Sequence, residues 1–322
     1  MQAQDCPNPP EEAVHGVREP DSVILPGGVK LPLLGFGTFK ITDASSVKTA
    51  LEVGYRHFDC ARIYGNEDIV GQGLQGYLSK DPKARESLWI TSKVWNDAHR
   101  PSHVTQSVQD TLNDLGCQYL DLLLIHWPEA WIPGTQDPDT TVTIKDTYQA
   151  MEALVDAGKV RFLGVSNFGL TQIEDVLSWC RIKPIVNQIE LHPMLAQRKL
   201  VGVSNRKGVQ SVAYSPLGVG SNDLVNHPAV IQICKETGKT PAQVLLRWNV
   251  QRGVPVIPKA SSKPHIEENF DGLFDWRLTW DQKSELDAID SAKRFIDPSF
   301  HAWEDVEEGG AHKPSKVFSY DS

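Results

Sequence analysis

The stretch Gly54-Tyr55-Arg56-His57-Phe58-Asp59-Cys60-Ala61-Arg62-Ile63-Tyr64-Gly65-Asn66-Glu67 reads as the exit of a helix into a short strand that ends in an acid, with a tyrosine in the loop five residues later. Just upstream, Val47, Ala50 and Leu51 recur at helical spacing, and Gly54 suits the helix C-cap. Residues 57–61 are strand-like. The alternation continues in both directions. Residues 33–39 form an apolar run punctuated by glycine, and 88–95 read as a strand. Pro101 suits a first helical turn, and Val104, Val108, Leu112 and Leu115 share one helical face that Gly116 closes. Residues 120–127 are nearly all apolar, as a strand buried on both sides requires.

The second half repeats the pattern. Tyr148, Met151, Leu154 and Val155 mark a helix ended by Gly158, and residues 160–167, 184–191 and 209–217 read as strands. Thr240-Pro241-Ala242-Gln243 combines a capping box with proline at the first helical position, and 254–258 read as the last strand. About eight strand–helix units over roughly 270 residues, with no break in composition, favour one α/β chain closed as a (β/α)8 TIM barrel over two domains. Two pieces fall outside it. Residues 23–33, with Gly27-Gly28 in the middle, read as a β-hairpin, and 297–322, with Trp303 and Gly309-Gly310, read as a loop. The expected division is a loosely attached tail over 1–22, the barrel over 23–298, and a C-terminal loop over 299–322 that contributes to the pocket.

With 322 residues the chain can bury one large core, and 40% hydrophobic with 23% charged residues places it among ordinary globular chains. A formal net charge of −9 argues against a nucleic-acid footprint or a polybasic membrane contact, although it leaves room for a local basic pocket. No apolar run reaches the length of about 18 residues that a spanning helix needs. Residues 1–20 are polar and carry Pro9-Pro10, Glu11, Glu12 and Glu19, and they lack the apolar stretch of a secretory signal. The five cysteines are odd in number, widely spaced and free of any C-x-x-C pair, which suits reduced thiols in a cytoplasmic protein.

Working residues of such barrels sit where strands end, at the C-terminal face. Asp59 ends one predicted strand, Lys93 lies near the end of Ile90-Thr91-Ser92-Lys93-Val94-Trp95, and His126 near the end of Leu122-Leu123-Leu124-Ile125-His126-Trp127. With Tyr64 just beyond the first strand, an acid, a phenol, an amine and an imidazole converge from three successive strands. Such a set can make a proton-donating phenol. Taken singly, each has an ordinary reading: a lone tyrosine near a strand end is usually packing, and His126 between Ile125 and Trp127 suits a core histidine. Four in register point to catalysis. Gly35-Phe36-Gly37-Thr38-Phe39-Lys40 begins like a dinucleotide fingerprint with Asp59 downstream, but Lys40 replaces the third glycine and the surroundings read as a barrel. No H-E-x-x-H or G-x-S-x-G occurs, so neither a metal nor a serine nucleophile is expected, and His192 in Leu191-His192-Pro193 reads as a turn or packing residue.

From about residue 23 to 298 the chain resembles the aldo-keto reductase superfamily, aldose and aldehyde reductases in particular. The block over 54–71, the Lys93 and His126 segments and Val256-Ile257-Pro258-Lys259 fall in that family's order. The resemblance implies a barrel capped by the hairpin, a monomer, and NADP as cofactor. It makes Tyr64 the general acid, Lys93 the ammonium that lowers the phenol's pKa, Asp59 the partner that holds Lys93, and His126 the group that orients the carbonyl oxygen. On the cofactor side it assigns Gly37, Thr38, Phe39 and Asp59; Ser166, Asn167 and Gln188 for the carboxamide; Tyr214 for the nicotinamide ring; and Ser215 and Leu217 for the pyrophosphate loop. Lys259, Ser261 and Ser262 fall to the 2′-phosphate, with His265 where the family's further cation stands, and Glu268 and Asn269 reach the adenine. Phe39, Ile63, Tyr64, Trp95, His126 and Trp127 match substrate-wall positions, the rest of that wall being expected from 128–140 and 297–322. The chain departs from the family in Pro258-Lys259-Ala260, where a serine commonly follows the lysine, and in His265, where an arginine is common. NADPH remains favoured, with NADH use more plausible than usual. The implied activity is NADPH-dependent reduction of aldehydes and ketones, aldoses included. Two alternatives stay open: the reverse oxidation of a polyol or alcohol, and a cofactor-binding regulatory subunit without significant turnover. Nucleic acid and membrane are not expected partners.

Overall fold

Gly27 and Gly28, with φ of 81° and 78°, turn strand β1 (Ser22–Leu25) back on β2 (Val29–Pro32) in the antiparallel hairpin expected from their place in the sequence. In this computed structural model the described residues are 21–81 and 83–304. The tail expected over 1–22 therefore lies outside the described residues up to residue 20, as does the expected C-terminal loop beyond 304.

The hairpin leads into seven parallel strands that pair in chain order: β3 (Phe36–Gly37), β4 (His57–Asp59), β5 (Trp89–Val94), β6 (Leu120–Ile125), β7 (Val160–Ser166), β8 (Val186–Glu190) and β9 (Gln210–Tyr214). Between and after them run the helices α1 (Ala44–Val53), α2 (Glu67–Leu78), α3 (Pro101–Leu115), α4 (Ile144–Asp156), α5 (Leu170–Trp179), α6 (Arg198–Arg206), α7 (Asn222–Val225), α8 (Pro228–Thr237), α9 (Pro241–Val250), α10 (Lys263–Phe270) and α11 (Trp280–Asp287). The sequence signals match several boundaries closely. Helix α1 ends at Gly54, α3 starts at Pro101 and ends at Gly116 in the left-handed region, and α9 opens with the Thr240–Gln243 capping box.

The strand expected over 254–258 is the exception. That segment is extended and closes the barrel, but only through single bridges of Val256 to Leu34 and to Ala213. Pro255 and Pro258 carry no N–H, so a regular ladder cannot form there. Closure rests on Val256 N to Leu33 O (2.8 Å), Gly35 N to Val256 O (2.8 Å), Ala213 N to Pro255 O (2.7 Å) and Ile257 N to Ala213 O (3.1 Å). The glycines of the apparent dinucleotide motif serve this seam. A Cβ on Gly37 would lie 2.8 Å from the Ile257 carbonyl oxygen, and one on Gly35 2.7 Å from His57 Nδ1. The strand expected over 209–217 stops at Tyr214 because Ser215 turns to φ 45°.

Alternation along the strands sets two cores. Leu122 and Leu124 face inward with Val186, Val212 and Ile257, whereas Leu123 and Ile125 join the larger core against the helices. Leu25 and Leu31 of the hairpin pack with Trp89, the first residue of β5, so the hairpin plugs the end where strands begin. An isolated two-stranded hairpin is marginal in water, and this burial is what fixes it. Among the described residues no helix is long and apolar enough to cross a membrane, and Cys60, Cys117, Cys180 and Cys234 are free.

Candidate active site

At the opposite end, where strands finish, Lys93 is almost completely buried near the end of β5. Its Nζ donates to Asp59 Oδ2 (2.7 Å) and to the Cys60 carbonyl (2.7 Å), and lies 3.5 Å from the Tyr64 hydroxyl oxygen. Asp59 is the last residue of β4. Tyr64 follows in a single helical turn, Arg62–Tyr64, that Gly65 ends at φ 62°. His126 lies one residue past β6, tied through its N–H to Val94 O (3.0 Å), and its ring crosses that of Tyr64 at 5.9 Å between centroids. The four sequence-predicted catalytic residues thus meet in one place.

The electrostatics differ from expectation in one respect. Burial pushes the Tyr64 phenol well above its ordinary pKa, and Asp59, Cys60 and Glu67 push the same way. The net lowering expected from Lys93 is not found, because the desolvation of a buried phenolate is the larger effect. His126 is held well below its ordinary value, first by burial and then by the Lys93 charge. At neutral pH the site therefore presents a protonated phenol and a neutral imidazole.

A ring of amides supports this floor. Gln188 Nε2 donates to Asp59 Oδ1 (2.6 Å), so both carboxylate oxygens are occupied. Ser166 Oγ donates to Gln188 O (2.9 Å), Asn167 Nδ2 to His126 O (3.0 Å), and the Tyr214 hydroxyl to Asn167 Oδ1 (2.8 Å). Thr38 Oγ1 donates to Asp59 O (2.8 Å). Glu67, itself buried and raised in pKa by that burial, accepts from Ser92 Oγ (2.6 Å) beside Lys93 and from Thr111 Oγ1 (2.7 Å).

Above the floor opens a cavity of about 440 Å3. Its wall includes Gly37, Thr38, Phe39, Asp59, Tyr64, His126, Trp127, Asn167, Gln188, Tyr214, Ser215, Leu217 and Lys259, all expected at the site. Lys93 lies beneath that wall and Ser166 is buried behind it. Ser261, Ser262 and His265 are exposed at the start of α10, beyond the cavity, while Glu268 is half-buried and Asn269 buried on the same helix. Ile63 and Trp95 pack beside the cavity in an aromatic cluster of Trp95, Trp127 and Trp131, joined by Ile296, Phe300 and Trp303. Trp131, Phe300 and Trp303 come from the two segments expected to complete the substrate wall. Lys40, Val219 and Ile296 also line the cavity and belong to no motif that marks them. Two of these, with Asn167 and Ser215, share a signature visible only in the backbone: Lys40 (φ 57°), Asn167 (62°), Ser215 (45°) and Val219 (51°) are non-glycine residues in the left-handed region, and all four line this cavity. Such strain gathers at functional sites.

A second cavity, of about 380 Å3, lies at the hairpin end between Lys30, Arg56, Trp89 and Arg161, away from the tetrad. His192 is a buried turn residue whose Nε2 lies 3.0 Å from Glu190 Oε1. Among the described residues no group of three or more His, Cys, Asp or Glu side chains is placed to hold a metal ion.

Comparison with known proteins gives the same picture. A sequence model of the aldo/keto reductase family matches residues 34–291. Aldo-keto reductase family 1 member A1 of Rattus norvegicus is 41% identical over 298 residues, covering 86% of this chain and 91% of its own length. An aldo/keto reductase of Synechocystis sp. is 40% identical over 297 residues, covering 86% and 90%. The structure of the aldose reductase from Schistosoma japonicum matches with a TM-score of 0.80 and 40% identity, over 85% of this chain and 93% of that one. With the buried tetrad at the strand ends of the barrel, these matches show that the chain belongs to the aldo/keto reductase family.

Proposed function

We propose that the protein reduces aldehydes and ketones to alcohols, with hydride from NADPH and a proton from Tyr64. The observation that carries this reading is the buried Asp59–Lys93–Tyr64 arrangement with His126 across the phenol, on the floor of a cavity. The residues around the cavity fit a nicotinamide cofactor. Tyr214 presents a ring on the wall, and Asn167, Gln188 and Ser166 offer the donors and acceptors that a carboxamide needs. Lys259 lies 3.3 Å from Ser261 Oγ, next to the N-terminus of α10, where Ser262 makes no side-chain cap. A helix N-terminus beside a lysine suits a phosphate, even though Pro264 in its first turn has no N–H to offer, which favours NADPH over NADH. His265 in place of the family's common arginine makes that preference weaker.

When bound, the nicotinamide supplies the hydride, which no side chain can do. The chain supplies the rest. A carbonyl oxygen held between the Tyr64 hydroxyl and His126 receives a hydrogen bond from each, and the neutral imidazole polarises it without giving up its proton. As negative charge grows on that oxygen, Tyr64 transfers its proton to it. Lys93 then stabilises the phenolate left behind, and Asp59 and Gln188 keep the ammonium in place. The aromatic cluster keeps water from the reacting oxygen and suits apolar or aromatic aldehydes, although sugars also stack on such faces. The proposed setting is a cytoplasmic monomer, a reading supported by the free thiols and by family resemblance.

The test is oxidation of NADPH and NADH across aromatic aldehydes, short aliphatic aldehydes, aldoses and sugar phosphates. Turnover that is faster with NADPH is expected. A protein that binds NADPH and turns over none of these carbonyls overturns the proposal and favours the regulatory reading.

A further inference from the structure

Glu190, the last residue of β8, is fully buried, neither belongs to the tetrad nor lines the cavity, and is left unused by the chemistry above. A buried carboxylate is costly unless hydrogen-bonded. Its partners are His192 Nε2 (3.0 Å) and two adjacent backbone groups far along the chain: Phe295 N donates to Oε1 (2.8 Å) and Ile296 N to Oε2 (3.2 Å). These two residues bear on different walls. Ile296 lines the cavity and packs with the Trp95–Trp127–Trp131 cluster. The Phe295 ring lies 5.0 Å from the His192 ring and against Gly218, where an added Cβ would meet it at 2.7 Å. Gly218 (φ 57°) sits in the turn whose Ser215, Leu217 and Val219 line the cavity on the Tyr214 side.

We propose that Glu190 is a positioning residue that couples the cofactor wall to the substrate wall. This rests on the reading of the cavity as a shared cofactor and carbonyl site. Two charge-assisted bonds fix the successive peptides Arg294–Phe295 and Phe295–Ile296. Because the Phe295 ring is in contact with Gly218, the 215–220 loop cannot shift without moving that ring, and these peptides pass the shift to Ile296. Cofactor seated against the loop therefore sets the position of Ile296. Bulky aromatic aldehydes, which reach the Ile296 wall, depend on this coupling. Small aliphatic aldehydes, which reach only Tyr64 and His126, do not.

The test is Glu190→Gln, whose amide keeps one acceptor oxygen and turns an NH2 toward a group that now donates. NADPH dissociation is followed by stopped-flow fluorescence, and kcat and KM are measured for a naphthaldehyde and for propanal. The KM for the naphthaldehyde should rise about tenfold, equivalent to about 1.4 kcal/mol, and NADPH dissociation should accelerate about fivefold, while the KM for propanal changes by less than about twofold. Equal changes in KM for both aldehydes, or none, would overturn the proposal. Phe295→Leu keeps the backbone bonds to Glu190 and removes the ring from Gly218, so it carries the test alone should Glu190→Gln fail to fold. It must raise the naphthaldehyde KM and the NADPH dissociation rate together, and movement of one without the other refutes the coupling. A wild-type protein that reduces neither aldehyde removes the functional reading itself, and this inference with it.

Discussion

Tyr64 keeps its proton because burial and the acids around it outweigh an ammonium already paired with Asp59. His126 stays neutral because burial and that same ammonium oppose its charging. One pKa is raised from the ordinary value of 10.0 and the other lowered from 6.5, so neither group ionises through the neutral range. The reductive kcat/KM should therefore be flat with respect to both between about pH 6 and 9. A pH–rate profile with an acid limb near the ordinary histidine value, abolished by substitution of His126, would contradict this. Lys259 belongs to the same scale. Lys259→Ala should weaken NADPH by about tenfold or more and NADH by less than about twofold in fluorescence titrations, since only NADPH carries the phosphate a cation would hold. Equal losses for the two would remove Lys259 from the 2′-phosphate. The tetrad was legible in the sequence because residue type and strand-end position together define it. The direction of the Tyr64 shift was not, because desolvation depends on what covers the ring, and the sequence shows only that a lysine is near.

The elements whose ends carry their own chemistry were legible: Gly54 and Gly116 as helix stops, Pro101 as a start, and Thr240 with Gln243 as a capping box. Those decided by tertiary contact were not. Residues 254–258 look like a strand because they are apolar, yet two prolines leave only single bridges to their neighbours. Ser215 bends the chain out of β9 with nothing in its own identity to announce the turn. The seam between β3 and this last segment is where an added methyl group has no room, so Gly37→Ala should cost about 1–3 kcal/mol in urea unfolding through overpacking against the Ile257 carbonyl. An unchanged midpoint would mean that the 256–258 segment yields freely and is not the closing element. The substrate wall was legible as two segments rather than as residues. Trp131, Phe300 and Trp303 are aromatic and stand in those segments, but Ile296 reaches the cavity through the bonds its backbone and that of Phe295 make to Glu190.

At the scale of the whole molecule, burial of neutral histidines makes stability depend on pH. Burial lowers His57 and His99 to about 4 and His126 well below 6.5. Below their unfolded pKa of about 6.5 the unfolded chain binds three protons that the native chain refuses, so this contribution is fully present above that pH and is lost as pH falls. Between about pH 6.5 and 4 it removes up to ~4 kcal/mol of stability per pH unit, against a total of about 5–15 kcal/mol for a typical fold. The urea midpoint should fall steeply from pH 7 to pH 5; a constant midpoint would show that these histidines are not buried neutral. The central claim concerns the one hydroxyl that all of this architecture protects. The most direct measurement is aromatic aldehyde reduction by Tyr64→Phe beside the wild type, with NADPH affinity followed by fluorescence in both. A fall in kcat of about a thousandfold with NADPH affinity within about twofold is the predicted result. Turnover within about tenfold of wild type would contradict the assignment of Tyr64 as the proton donor.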